Sequence, residues 1–218
     1  MKHFKRIVSL ILTIALSLSL AQVSAFAATG TDVTASMKND KGIDSISKAV
    51  GFYIGYIDEG DIDVKLPGKI ELNTTNKYNM VIYNMPFADG LDWSSYDINN
   101  ATYGFAVKET VFKKTYKNLF GQNPKPATDD TKGVTYVKSG KVYCPVSGEF
   151  GEIWPQYKVV KVTKVNDSKY KVVMKTGWED YSEETGPSYN GKVTMTLKKS
   201  SKSEYGFILK ALKYDKLK

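Results

Sequence analysis

The chain is expected to fold as an α+β protein, with about three N-terminal helices packed on one face of a curved antiparallel sheet. Three observations lead there. Apolar residues recur at helical spacing between residues 43 and 120, and from about residue 134 they alternate with period two. Short clusters of Asn, Asp, Ser and Gly separate the alternating runs at hairpin intervals.

Taken in order, the first element is a leader. Lys2, Lys5 and Arg6 precede an apolar run from Ile7 to Ala21, and Ala25-Phe26-Ala27 puts small residues where a signal peptidase reads. Residues 1–27 therefore read as a signal peptide cut before Ala28, with Val23-Ser24-Ala25 as an alternative site. The run falls short of the roughly 20 apolar residues of a spanning helix. No later segment is long and apolar either, so the mature chain is expected to be secreted, in or beyond the cell wall, without a transmembrane span. Residues 28–41 are polar and without pattern and read as a flexible tether; 42–218 read as a single domain.

Ile43, Ile46, Val50, Ile54 and Ile57 share one face of a helix that Gly60 would stop. A second helix is expected from Thr75 to Met85, capped by Asn73 or Thr74 and closed by Pro86, although its Val and Ile content also suits a strand. The third, Glu109 to Phe120, turns Phe112, Tyr116, Leu119 and Phe120 inward and Lys113, Lys114 and Lys117 outward, and ends at Gly121. Strands follow at Val134–Val137 and Lys141–Val146 around Ser139-Gly140, then at Tyr157–Val165 and Lys169–Trp178 around Asn166-Asp167-Ser168. Tyr189–Leu197 and Tyr205–Tyr214 complete the meander. Tyr170, Val172, Met174, Thr176 and Trp178 alternate with Lys169, Lys171 and Lys175, and Val193, Met195 and Leu197 with Lys192, Thr194 and Thr196. Each run thus has one buried and one wet face.

Composition narrows the chemistry. His3 and Arg6 are the only histidine and arginine, and both lie in the leader. The mature chain keeps 28 lysines against 23 acids, a net charge of +5. That bias favours polyanions such as teichoic acid. Nucleic-acid recognition is not expected, because base reading leans on arginine's planar fork. Cys144 is alone, so no intramolecular disulfide forms and the core must carry stability.

The run Tyr103-Gly-Phe-Ala-Val, the helix end Leu119-Phe120-Gly121 and the closing Ser203-Glu-Tyr205-Gly-Phe207 resemble small exported proteins of low-GC Gram-positive bacteria. Through them the chain resembles the cystatin-like and nuclear-transport-factor-like α+β folds. That resemblance covers Ile43 to the end and implies a fold rather than an activity, since the superfamily holds both enzymes and binding modules.

A Cys144 nucleophile would need a neighbouring base, and the mature chain has no histidine to supply one. Its strand parity with Val142 and Val146 marks a buried apolar position instead. Ser45-Ile46-Ser47-Lys48 and Lys175-Thr176-Gly177 have the spacing of S-x-x-K and K-T-G in penicillin-recognising serine enzymes. Yet the S-x-N triplet, Ser188-Tyr189-Asn190, follows K-T-G instead of preceding it. The acidic run Asp58-Glu59-Gly60-Asp61-Ile62-Asp63 lacks the spacing of a calcium loop, and zinc would want imidazole or thiolate pairs. No metal or cofactor is expected. Glu149, Glu152, Glu179, Asp180, Glu183 and Glu184 are candidate carboxylates for a hydrolase of wall polysaccharide.

One regularity remains: Trp93-Tyr96, Trp154-Tyr157 and Trp178-Tyr181 each pair a tryptophan with a tyrosine three residues on. Flat amphipathic rings of this kind line sugar and peptide clefts as well as cores. The expected function is a secreted, non-catalytic binding module of the cell envelope that meets glycan, teichoic acid or an envelope protein through these rings. The alternative is the carboxylate hydrolase.

Overall fold

The computed structural model describes residues 30–58, 66–84, 91–92, 96–98, 101–103, 106–125, 134–138, 140–145, 153–180 and 186–217. Among them are four helices, α1 (Thr34–Met37), α2 (Lys41–Asp58), α3 (Thr74–Ile82) and α4 (Glu109–Phe120). The main sheet has six strands, in spatial order β1 (Thr31–Asp32), β9 (Ile153–Lys164), β10 (Lys169–Asp180), β11 (Ser188–Lys199), β12 (Phe207–Lys216) and β2 (Gly68–Ile70). A four-stranded sheet joins β3 (Leu91–Asp92), β6 (Ala106–Lys108), β8 (Val142–Pro145) and β7 (Val134–Val137). β4 (Tyr96–Ile98) and β5 (Ala101–Tyr103) form a separate pair. The α+β class and the antiparallel meander of long hairpins match the expectation from patterning.

Helix α2 begins where Asp40 Oδ1 accepts from the amides of Gly42 and Ile43, at 2.9 and 3.0 Å, satisfying two donors a helix start leaves open. Its predicted apolar stripe, Ile43, Ile46, Val50, Ile54 and Ile57, is buried. Gly51 and Gly55, one turn apart, let the sheet approach closely. A Cβ at Gly51 would stand 2.8 Å from Tyr157 Cβ, and one at Gly55 2.7 Å from Pro155 Cβ and 3.2 Å from Trp178 Cζ2. Asn73 is the cap of α3, accepting from Asn76 N at 2.8 Å, and the helix ends at Ile82, short of Met85. Helix α4 has the expected bounds and ends at Gly121 with φ 72°, where the absent Cβ removes the left-handed penalty.

Three register shifts bend the main sheet, at Val173/Met174 against β9, Thr176/Gly177 against β11 and Thr196/Leu197 against β12. Tyr170, Val172, Met174, Thr176, Val193, Met195 and Leu197 are buried on the helix-facing side, as their alternation predicted.

Two expectations are corrected. The segment read as a tether is structured from Thr31, because β1 and α1 occupy it. Val33 N donates to Val162 O at 2.9 Å, Val162 N donates to Thr34 Oγ1 at 2.9 Å, and Val33 and Met37 pack on the core. The docking satisfies edge groups of β9 that would otherwise be open, and a two-residue strand with a one-turn helix is too short to show periodicity. Asp32–Lys218 forms one compact unit. The second correction concerns residues 66–108, where β2 to β6 interleave with helix α3, so the strands do not simply follow the helices.

The turn joining β11 to β12 is held from both sides. Ser200 N donates to Gly206 O at 2.9 Å, Glu204 N to Asn118 Oδ1 at 3.0 Å, and the buried Ser203 hydroxyl to Asn118 O at 2.6 Å while accepting from Tyr205 N. Removing that hydroxyl orphans a buried carbonyl of α4. Ser203→Ala should therefore cost about 2 kcal/mol by equilibrium urea unfolding. An unchanged midpoint would refute this role for the hydroxyl.

Candidate functional site

Of the aromatic pairs, Tyr157 and Trp178 come together on the helix-facing side, against Gly51 and Gly55 of α2. The Tyr157 hydroxyl donates to Asp44 Oδ1 at 3.0 Å, and burial, with Asp44 beside it, pushes the phenol well above its usual range. Trp154 stands on the other side. It is next to Pro155, which faces α2, and successive residues of a strand project to opposite faces. Its register partner on β10 is Glu179, whereas Trp178 pairs with Pro155. The two tryptophans therefore do not share a cleft wall. Trp93 and Tyr181 lie outside the described residues, and Tyr96 is placed by its backbone in β4 opposite Tyr103. This geometry separates the rings by role. Trp178→Ala should cost about 2 kcal/mol of stability, because its ring lies against Gly55 of α2 on the core side, while Trp154→Ala on the outer face should cost less. Equal losses in both variants would refute the opposite-face assignment.

The other candidates take structural places. Cys144 is wholly buried with Ala106 and Val142 in a small apolar cluster behind the four-stranded sheet. Ser45 Oγ donates to Lys41 O at 2.8 Å, Lys48 Nζ lies 5.9 Å from the Phe52 ring centre, and Thr176 is buried. Glu179 and Asp180 are neighbours at the end of β10 and so point to opposite faces. Glu149, Glu152, Glu183, Glu184 and the acidic run beyond Asp58 lie outside the described residues. Among the described residues no group of three or more His, Cys, Asp or Glu could hold a metal ion, and no helix is long and apolar enough to cross a membrane.

The outer face of the main sheet, turned away from α2, has a charge arrangement that single-strand reading missed. Lys158 of β9 stands directly opposite Lys175 of β10, and Lys175 directly opposite Lys192 of β11. The row ends on Asp215 of β12. One row further, Lys161, Val173, Thr194, Lys213 and Lys69 stand in register across five strands. Between the strands of this face the carboxylates are few. Asp215 serves both Lys213, at 2.6 Å, and Lys192, at 3.8 Å, and Asp32 lies 3.8 Å from Lys161. Its hydrogen bond from Lys213 and the two ammonium charges hold the Asp215 carboxyl below the usual carboxylate range. Lys158, Lys171 and Lys175 make no ion pair among the described residues. Like charges directly opposite on neighbouring strands are destabilising, by roughly 0.2–1 kcal/mol a pair, and nothing in the fold requires them. Trp154 and Gln156 extend the same face along β9 toward its start.

No protein-family model, curated protein or solved structure matches this chain.

Proposed function

We propose that this chain is an exported, non-catalytic binding module of the bacterial envelope that holds a linear anionic polymer of the teichoic-acid kind on its outer sheet face. The single observation that carries the reading is the row Lys158–Lys175–Lys192, three lysines in register on adjacent strands with one carboxylate at its end. Strand spacing sets neighbouring lysine positions about 5 Å apart, so a chain of closely repeated anions laid across the strands meets a cation at each step. Lysine suits this task, because a flexible point charge follows a polymer without demanding the planar geometry that arginine reads. Trp154, at the end of the face, offers a flat ring to the sugar or polyol parts between anions. The leader and the small exported proteins that the chain resembles support an extracytoplasmic site of action.

Co-sedimentation with purified Gram-positive walls tests the reading. Retention should fall steeply between about 50 and 300 mM salt, as screening shortens the reach of exposed charges. It should also fall on walls stripped of their anionic polymer by mild acid. Equal retention on intact and stripped walls would overturn the proposal. Release of soluble wall fragments during the assay would instead favour a hydrolase.

A further inference from the structure

A second feature lies where α4 meets the β11–β12 turn. A cleft of about 520 Å³ opens between the C-terminal end of α4 and the β11–β12 turn. Among the described residues, every ionisable side chain lining it is a lysine: Lys198, Lys199, Lys202 and Lys210. Ser200, Ser201 and Gln122 add neutral polar groups, and the largely buried Phe120 and Ile208 give the same wall a small apolar part. We infer that this cleft binds a phosphomonoester of a small organic molecule, with the lysines holding the phosphate and Phe120 and Ile208 meeting its carbon body.

Charge, shape and rigidity each contribute. The end of α4 presents carbonyls equivalent to about half a negative charge, which would repel an anion. Four lysines outweigh it, and among the described residues no carboxylate lines the cleft. Across the turn, Lys114 pairs with Glu204 at 3.0 Å, so the nearby acid is already engaged outside the cleft. Of the four, Lys199 is partly compensated: its Nζ lies 5.6 Å from the Tyr170 ring centre, and its charge also acts on the Asp167 carboxyl. Lys77, whose Nζ is 5.5 Å from the Phe120 ring centre, reports the local field: desolvation first, then the charges of Lys210 and Lys125, hold its ammonium below the usual lysine range. Positive charge is thus left uncompensated around Lys210.

The wall is also preorganised. Ser203 and Glu204 are tied to Asn118 of α4, and Ser200 to Gly206, so binding need not order the turn. The volume exceeds what a bare phosphate fills and lies within the range of small-molecule sites. The small apolar part beside the cations gives an ester an advantage over the free ion.

Two-dimensional amide spectra of the mature chain, titrated with glycerol phosphate and separately with inorganic phosphate at constant ionic strength, decide the matter. The expected result is saturable shifting confined to Gly121, Gln122 and the Ser200–Gly206 turn, with the ester binding at least threefold tighter. Lys202→Gln with Lys210→Gln should weaken it at least tenfold; both side chains are exposed, so the fold should hold. Lys158→Gln with Lys175→Gln should leave it unchanged, which separates this site from the outer face whether or not that face binds polymer. Non-saturable shifts spread over the lysines of the whole molecule would overturn the inference. So would equal affinity for ester and free ion, or binding that survives the Lys202/Lys210 change.

Discussion

Gly42→Ala is expected to destabilise the protein by about 3 kcal/mol, near the upper end of what overpacking a tight site costs. On propensity alone the opposite sign is predicted, since alanine in place of glycine favours a helix by up to about 1 kcal/mol. Geometry decides otherwise. Gly42 is the second residue of α2, and a Cβ there would stand 1.8 Å from the carbonyl oxygen of Tyr205 and 2.8 Å from its carbonyl carbon. Both are backbone atoms, so no rotamer change relieves the contact. Tyr205 belongs to the turn held by Asn118 through Ser203 and Glu204, so neither partner yields easily. The start of α2 would have to lift, exposing Ile43 and Ile46, both wholly buried. Thermal unfolding should show a midpoint lowered by roughly 6–12 °C for a domain of this size. Ser45→Ala, on the same helix, should move it by less than about 2 °C. A midpoint raised by Gly42→Ala would show that the turn does not press on α2.

The triple change Lys158→Gln, Lys175→Gln, Lys192→Gln should weaken retention on intact walls about tenfold or more. Each exposed lysine contributes on the order of 0.5 kcal/mol to an ionic contact, and about 1.4 kcal/mol is a factor of ten. The salt dependence of what remains should flatten, because fewer ionic contacts are left to screen. Three exposed lysines of α4, Lys113, Lys114 and Lys117, provide the matched control. Changing them to glutamine removes the same net charge from another surface. If that control weakened retention as much as the outer-face triple, binding would follow net charge alone and the row would have no special part in it.

The parts of this molecule that patterning made legible are those where one side chain period dominates a long element. Helices α2 and α4 and the buried faces of β10 and β11 follow directly from the spacing of their apolar residues. What escaped was either too short to have a period, as with β1 and the strands from β2 to β6, or depended on register. Trp154 shows the second kind most clearly. Counting back in twos from the buried Val162 places Trp154 on the inner face. The structure inserts one extra residue in β9: Lys161 pairs with Val173 and Val159 with Met174, leaving exposed Val160 between. Parity reverses there, sending Tyr157 and Pro155 inward and Trp154 outward. The lysine row has the same origin. Lys171, Lys175 and Lys192 were recognisable as members of wet faces, but their alignment with Lys158 across three strands is set by turns and bulges between them.

Central to this account is that the outer-face lysines oppose one another at a cost to stability that binding alone explains. Lys175→Glu tests that most directly, because it sets an acid between Lys158 and Lys192 and turns two repulsive cross-strand contacts into attractive ones. The account predicts a variant more stable by about 1 kcal/mol that no longer sediments with intact walls. A variant that is less stable, or one that is stabilised and still binds, would contradict it.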